Sequence, residues 1–137
     1  MDVFAENILD HFRHPKNKGR LAEATVEHEE ANHACGDALT MYLQLENGRI
    51  LDIKWEGTGC AISQAAISLL SEKLMGMHAN TAAQLRKQDI LDMLGIPVST
   101  RRMRCALLCL HTLKNALHVA GGEETQSWLS TVEIGEE

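Results

Sequence analysis

An alternation of apolar and polar residues on both sides of Asn47-Gly48 constrains this chain more than any other feature. Apolar side chains occupy every second position around this dipeptide: Leu39, Met41, Leu43 and Leu45 before it, and Leu51, Ile53 and Trp55 after it. A period of two is typical of a β-strand with one buried face. Because Asn-Gly tolerates the positive φ of a type I′ turn, the pattern predicts a β-hairpin whose strand ends return to the same edge.

Both ends of this predicted hairpin carry a cysteine in a glycine-containing turn. Cys35-Gly36-Asp37 leads into the first strand, and Gly57-Thr58-Gly59-Cys60 follows the second. The hairpin therefore places Cys35 and Cys60 close together, although they are well separated in sequence. Glycines in these turns adopt φ values that other residues avoid and let the backbone approach an inorganic ligand closely.

Helical periodicity surrounds the hairpin on both sides. We predict helices with these approximate limits: Asp2, as cap, to His14; Ala61 to Gly76; a short helix with a capping box of Thr81 and Gln84; Ile90 to Leu94; Thr100 to Ala120; and a last short helix around Trp128. The charged segment 24–31 suits an edge strand. His11 and His14 are predicted to be surface residues of the first helix.

Size and charge limit the possible partners. The chain has 137 residues, the usual size of one domain, so we expect a single domain over residues 1–137. Its 13 Lys and Arg residues against 19 Asp and Glu give a formal charge of -6, which argues against nucleic acid or an acidic membrane surface as partner. No apolar run approaches the ~18 residues of a membrane span, and no signal-peptide pattern is present, so we expect a cytoplasmic protein.

The cysteines favour metal or sulfur chemistry. Thiols in a reducing compartment are not expected to form a disulfide framework. Three thiolates with one carboxylate suit a tetrahedral zinc site, or an iron–sulfur site with one oxygen ligand. The chain has no Cys-x-x-Cys pair and no His-Glu-x-x-His sequence, which argues against a zinc ribbon, a thioredoxin-like motif and a zinc hydrolase helix. For each cysteine taken singly, the alternative is a small buried hydrophobic residue.

The predicted long helix carries Cys105 and, one turn later, Cys109. At about 100° per residue, both project to one side of the apolar stripe of that helix, so neither is required in the core. Helix N-termini and nearby arginines favour thiolates, and Cys60 and Cys105 are both predicted near the start of a helix. For Cys109, which has leucines beside it, a buried apolar role weighs as much as a functional one.

Four segments match the motifs of a known family in the same order: residues 8–19, Cys35-Gly36-Asp37, Gly57-Thr58-Gly59-Cys60-Ala61-Ile62-Ser63 and Arg102-Met103-Arg104-Cys105. On these residues the chain resembles the IscU/SufU/NifU N-terminal family of iron–sulfur cluster assembly proteins. The resemblance covers roughly Phe4 to Val119. It implies an α+β fold in which helices pack on one side of a three-stranded antiparallel sheet.

The resemblance also implies a site and a role. The site would be formed by Cys35, Asp37, Cys60 and Cys105 at one end of the sheet. The role would be a scaffold rather than an enzyme, which accepts persulfide sulfur from a pyridoxal-phosphate cysteine desulfurase, binds iron, builds a [2Fe–2S] cluster and passes it to apo-proteins. Because a carboxylate is a poorer ligand than a thiolate for an iron–sulfur core, Asp37 would ease release. Homo-oligomer formation is compatible with this role.

Several departures from the family pattern bear on the metal and the partners. Arg104 stands where IscU proteins have a histidine, which is more like SufU, but the segment between the second and third cysteine motifs is too short for the SufU insertion. The segment Gly95-Ile96-Pro97-Val98 is only weakly similar to Leu-Pro-Pro-Val-Lys, the chaperone-recognition segment of IscU proteins. This difference puts docking of an Hsp70-type chaperone in doubt. Cys109 is an additional thiol, and its options are a sulfur relay, a ligand that replaces Asp37, or no role.

Two other functions compete with the cluster scaffold. In a SufU-type sulfurtransferase, zinc holds the thiolates, and Cys60 or Cys105 leaves the metal to accept a persulfide. Arg104 distinguishes these functions, because a guanidinium favours nearby thiolate but cannot ligate iron as imidazole can. In a structural zinc module, the metal only holds a protein-contact surface together, and its removal unfolds the domain. The leucine-rich core argues against this last function.

Overall fold

The computed structural model describes residues 3–33 and 36–132. Along the chain its elements are α1 (Val3–Arg13), β1 (Val26–Asn32), β2 (Asp37–Glu46), β3 (Arg49–Thr58), α2 (Ala61–Leu74), α3 (Ala79–Ala83), α4 (Lys87–Leu94), a 3₁₀ turn (Thr100–Arg102), α5 (Met103–Ala120) and α6 (Trp128–Val132). The predicted cap at Asp2 lies outside the described residues. Within these ranges, no helix combines the length and the apolar composition that crossing a membrane requires.

The three strands form an antiparallel sheet in the order β1-β2-β3, which confirms the predicted sheet and places β1 at an edge. Asn47 (φ 52°) and Gly48 (φ 76°) both have positive φ, as a type I′ turn requires. At the other end of the hairpin, Ala38 of β2 pairs with Thr58 of β3. This register brings the start of β2 and the end of β3 to the same edge of the sheet.

A shift of register near the turn corrects one prediction for β3. The pairing shifts between Gln44 and Leu45, and Leu45 pairs with Ile50, so that Leu51 becomes the additional residue of a β-bulge. Ile50 is fully buried in consequence, whereas Leu51 is 52% exposed. The strict alternation that placed Leu51 on the buried face is therefore wrong at this end of the strand.

Helices α2 and α5 pack on the sheet and build the core with it, α5 against β1 and β2, and α2 against β3. The sheet and helices α2, α4 and α5 contribute the largest fully buried side chains: Trp55, Met41, Leu43, Ile50, Ile53, Ile67, Leu70, Leu74, Ile90, Leu94, Leu107 and Leu110. Each such side chain stabilises the fold by roughly 1.5–3 kcal/mol relative to its exposed state. The helices therefore hold the hairpin and both of its ends in a fixed position.

Helix α1 packs against α2, and this contact corrects the prediction for His11. His11 is only 6% exposed, because it faces a polar position of α2, where its Nδ1 lies 2.7 Å from Ser68 Oγ in a hydrogen bond. The same hydroxyl accepts a hydrogen bond from the backbone N–H of Lys16 at 2.7 Å. His14 is exposed, as predicted.

The short helix α3 begins earlier than its sequence pattern predicts. His78 is the N-cap, so Thr81 lies inside the helix and Gln84 lies at its C-cap. The predicted capping box of Thr81 and Gln84 is therefore wrong. A carboxylate caps the next helix instead, where Asp89 Oδ2 accepts a hydrogen bond from the backbone N–H of Arg86 at 2.7 Å.

Candidate metal centre

Three of the four predicted ligands come from different elements and meet at one edge of the sheet. Asp37 is the first residue of β2, Cys60 immediately precedes α2, and Cys105 lies in the first turn of α5. A carboxylate oxygen of Asp37 and the sulfur atoms of Cys60 and Cys105 all lie within 4.8 Å of one another. Cys35, the fourth predicted ligand, lies outside the described residues.

The geometry of these donors fits a single metal ion. Asp37 is 2% exposed and Cys105 is 5% exposed, whereas Cys60 is half-buried and leaves a route from solvent. Oxygen and sulfur donors bound to one ion at about 2.0–2.3 Å lie roughly 3.5–4 Å apart in a tetrahedral arrangement. Small side-chain rotations therefore suffice to close the three donors on one ion, and their mixture of thiolate and carboxylate suits zinc or iron.

The turn between β3 and α2 holds Cys60 against Asp37. The backbone N–H of Cys60 donates to Asp37 Oδ1 at 3.1 Å, and Ser63 Oγ donates to the Cys60 carbonyl at 3.0 Å. Gly59 has a φ of 149°, and a Cβ on it would overlap Asp37 Oδ1 and lie 2.6 Å from Ser63 Oγ. Glycine is therefore required here by both the backbone conformation and the space.

Cys60 is the N-cap residue of α2, and its side chain makes no capping hydrogen bond in the described part of the chain. The first N–H groups of a helix favour negative charge at this end. The sulfur is thus placed at the helix N-terminus without being used to cap it. This position confirms the predicted start of α2 at the residue after Cys60.

Cys109 lies in the core, which corrects the prediction that it projects away from the apolar stripe. Every residue from Cys105 to Leu113 is buried, because the sheet, α2 and α6 surround this part of α5. Cys109 is 1% exposed, its Sγ lies 3.5 Å from the Ala106 carbonyl, and burial raises the pKa of its thiol to about 12. It does not belong to the group formed by Asp37, Cys60 and Cys105.

Arg104 is exposed beside the centre, and its guanidinium stacks on the ring of Trp128 at 5.3 Å. Sequence reasoning selected Arg104 but missed Trp128, because no local pattern connects the tail of the chain with the start of α5. Ser63 belongs to the second cysteine motif, but its role was not predicted, although a signal was available: a serine three residues after the N-cap residue Cys60. His33 lies in a turn and is exposed.

Comparison with known proteins supplies independent information. The model of the NifU-like N terminal domain matches residues 3–124. The iron–sulfur cluster assembly scaffold protein IscU of Thermotoga maritima is 34% identical over 131 residues, which cover 84% of this chain and 92% of that protein. The zinc-dependent sulfurtransferase SufU of Bacillus subtilis is 27% identical over 132 residues, which cover 84% of this chain and 89% of that protein.

A solved structure also has the same fold. The crystal structure of SufU from Fervidobacterium islandicum AW-1, a proposed iron–sulfur cluster assembly scaffold protein for the SUF system, is 27% identical in sequence and superposes with a TM-score of 0.73. The match covers 82% of this chain and 94% of the other. The arrangement of sheet and helices is therefore shared along most of both chains.

Proposed function

Because this chain belongs to the NifU-like N-terminal domain family of iron–sulfur cluster assembly proteins, we propose that it builds a [2Fe–2S] cluster and transfers it to apo-proteins. The convergence of Asp37, Cys60 and Cys105 within 4.8 Å is the observation that supports this role most directly. Cys35 supplies the fourth ligand in this proposal. The cluster is cargo rather than a resident cofactor, so the site has to bind it and also release it.

Sulfur arrives by exchange between thiols. A cysteine desulfurase presents a persulfide, and the thiolate of Cys60 or Cys105 attacks its outer sulfur. A new S–S bond forms on the scaffold, while the old S–S bond breaks and leaves the desulfurase cysteine as a thiolate. Each transferred sulfur then takes two electrons from an external reductant, such as a thiol, to become sulfide. Cys60 is the better placed acceptor, because it is half-buried whereas Cys105 is 5% exposed.

Asp37 supports release of the finished cluster. An oxygen donor binds the soft iron–sulfur core more weakly than a fourth thiolate would. Asp37 also accepts the hydrogen bond from the Cys60 N–H, so that one carboxylate both shapes the turn and offers the weaker ligand. Client apo-proteins with four thiolates would then take the cluster from this site.

The experiment that tests the scaffold function is anaerobic reconstitution of the full chain. The protein is purified without air, analysed for metal and sulfide, and incubated with iron(II), cysteine, a cysteine desulfurase and dithiothreitol. We expect the visible absorption spectrum of a [2Fe–2S] cluster, followed by its transfer to an apo-ferredoxin. Cys35→Ala, Cys60→Ala and Cys105→Ala should each abolish assembly while the circular dichroism stays native, and Cys109→Ala is the matched control. Full assembly by any one of the first three variants would remove that residue from the site.

Arg104 supports a second candidate, the zinc-dependent sulfurtransferase. A guanidinium cannot ligate iron, and this one stacks on Trp128 rather than adding a donor to the centre. In this function zinc holds the site thiolates, and Cys60 or Cys105 leaves the metal to receive sulfur. Tightly bound zinc, the lack of a stable cluster after reconstitution, and faster desulfurase turnover in the presence of the protein would favour this candidate over the scaffold.

A further inference from the structure

A cavity of about 210 Å³ lies beside the candidate metal centre. Its walls come from the end of β1, the first turns of α5, and α6, and we call it the Arg104 cavity. The polar and aromatic residues that line it are Asn32, His33, Arg104, His111 and Trp128, with Leu108 as an apolar wall. Its lining in the described part of the chain includes none of Asp37, Cys60 and Cys105, so it is a separate site next to the metal centre.

Arg104 is held in place by an aromatic contact rather than by an acid of the described residues. Its guanidinium lies over the Trp128 ring at 5.3 Å, and no carboxylate in residues 3–33 and 36–132 forms an ion pair with it. Arg20 shows the contrast, because its Nε donates to Glu56 at 2.8 Å. Stacking on an indole occupies one face of a guanidinium and leaves the N–H groups at its edge available.

Glu30 contacts the lining residue His111 and is itself engaged by other groups. Glu30 Oε2 pairs with His28 Nε2 and accepts a hydrogen bond from Asn115 Nδ2 at 2.9 Å, and Glu30 Oε1 lies 3.5 Å from His111 Nε2. His111 Nδ1 in turn bonds Thr131 Oγ1 at 2.7 Å. The His111 imidazole is therefore engaged within the protein, which leaves Arg104 as the permanently charged lining residue, in the described part of the chain, that can bind an external anion.

The size and chemistry of the cavity select the ligand. Its volume lies below the ~300 Å³ at which pockets for drug-sized ligands begin, so the cavity suits a small molecule better than a nucleotide. The planar fork of a guanidinium matches a carboxylate through two parallel hydrogen bonds. A phosphate usually gathers several cationic or backbone donors, whereas Arg104 is the one arginine or lysine among the described residues that line this cavity. Trp128 and Leu108 offer apolar contact to a short aliphatic chain.

We propose that the Arg104 cavity binds a small carboxylate, which forms a bidentate pair with Arg104 while its aliphatic part contacts Trp128 and Leu108. The carboxylate can belong to a free molecule of amino-acid size or to an acidic side chain of a docked protein. This inference stands on the cavity and on Arg104 alone, so it holds or fails independently of the scaffold function.

The test is a titration of the full chain with propionate, followed by the indole N–H resonances of the two tryptophans in NMR spectra. Trp128 reports on the cavity. Trp55 is fully buried and its Nε1 donates to the Lys16 carbonyl at 2.8 Å, so it serves as an internal reference. We expect a saturable shift of the Trp128 resonance with propionate, no comparable shift with propionamide, and weaker binding of inorganic phosphate. A non-saturating shift, an equal response to propionamide, or tighter binding of phosphate would overturn the proposal.

Variants locate the binding group. Arg104→Gln should weaken propionate binding about tenfold, because charge-assisted hydrogen bonds are lost. Arg101→Gln removes an exposed arginine outside the cavity and should leave the affinity unchanged, and an unshifted Trp55 resonance verifies the fold of each variant. Equal affinity of the Arg104→Gln variant and the unmodified chain would contradict the assignment.

A capped tripeptide with a central aspartate separates the two sources of the carboxylate. Tighter binding of this peptide than of propionate indicates an acidic side chain of a protein, and equal or weaker binding indicates a free molecule.

Discussion

At the scale of single residues, Asp37 combines two tasks that pull in opposite directions. It orders the turn by accepting the Cys60 N–H hydrogen bond, and in the proposed function it offers the candidate metal centre the one oxygen donor among the described residues of that group. The first task stabilises the empty site, whereas the second weakens the hold on a soft cluster. A scaffold needs a preformed site that nevertheless binds the cluster weakly enough to release it.

Asp37→Ala should therefore slow the loss of the cluster rather than prevent its assembly. The variant loses the weaker ligand and leaves the cluster with thiolate ligands. Stopped-flow measurement of transfer to apo-ferredoxin checks this expectation, with Asp92→Ala on the exposed face of α4 as a control acid. Transfer kinetics equal to those of the unmodified chain would contradict the release role of Asp37.

Cys109 should behave as a core residue rather than as a reactive thiol. Burial raises its pKa to about 12, so its thiolate is scarce at neutral pH. Iodoacetamide should label Cys60 in the native protein and reach Cys109 only after unfolding, as mass spectrometry of peptides would show. Cys109→Ala should lower the free energy of unfolding by about 1 kcal/mol through the cavity it leaves. If the Cys109→Ala variant stays folded with this small loss of stability but no longer assembles a cluster, Cys109 is a functional thiol instead.

At the scale of elements, the turn from β3 into α2 is the most tightly determined part of the candidate site. Gly59→Ala should reduce metal binding, because the new methyl group displaces Asp37 and Ser63 from the Cys60 backbone. The strained backbone and the displaced contacts should cost about 1–3 kcal/mol of stability. Metal analysis and urea unfolding measure both effects. Gly121→Ala is the matched control, because its Cβ would meet no atom closer than 3.4 Å; an equal loss of metal in this control would argue against a local cause.

The packing of α6 on α5 includes a buried histidine, His111, which contacts Thr131 and Trp128 of α6. Burial lowers the pKa of His111 from its ordinary value of 6.5, with Glu30 opposing this effect and His28 adding to it. As the pH falls, His111 therefore takes up a proton in the unfolded chain before it does so in the folded chain. Its contribution to the free energy of unfolding is fully present above pH 6.5, and it declines below that pH toward the folded pKa. Urea unfolding at about pH 7.5 and about pH 5.5 should show a larger decline for the unmodified chain than for His111→Gln. Equal declines would assign the pH dependence to other groups.

The sequence predicts well those elements whose conformation is determined by neighbouring residues in the chain. Asn47-Gly48 and the alternation around it specify the hairpin, and Gly95 and Gly121 end their helices where expected. His11 was mispredicted because its burial depends on Ser68, which lies on another helix. The exposed position of Leu51 follows from a bulge, and one inserted residue reverses the face of a strand without changing its composition.

In the candidate site, too, local features could be predicted from the sequence, whereas features that depend on tertiary packing could not. The glycine turns and the cysteine motifs could be read from the chain, and they indicated the ligand set by family resemblance. The stacking of Arg104 on Trp128 could not be read, because it arises only when α6 folds back on α5. Cys109 was ambiguous for a similar reason, since the helix that carries it is covered on all sides rather than along one stripe.

At the scale of the whole molecule, the apolar core is built without the candidate metal ligands. It runs from the sheet through α2 and α5, and its cluster of buried apolar residues includes none of Asp37, Cys60 and Cys105. Treatment with EDTA should therefore leave the circular dichroism spectrum and a cooperative urea transition intact, with only a modest shift of the midpoint that metal binding explains. Loss of the cooperative transition after chelation would favour the structural zinc module instead.

Asp37, Cys60 and Cys105 are contributed by the start of the hairpin, its end and the last long helix. A nascent chain that leaves the ribosome makes the hairpin first and acquires Cys105 only when α5 follows. Unfinished copies thus lack one of the three donors that meet at the edge of the sheet. The wide spacing of the donors along the chain therefore makes a complete donor set a property of molecules that have finished folding.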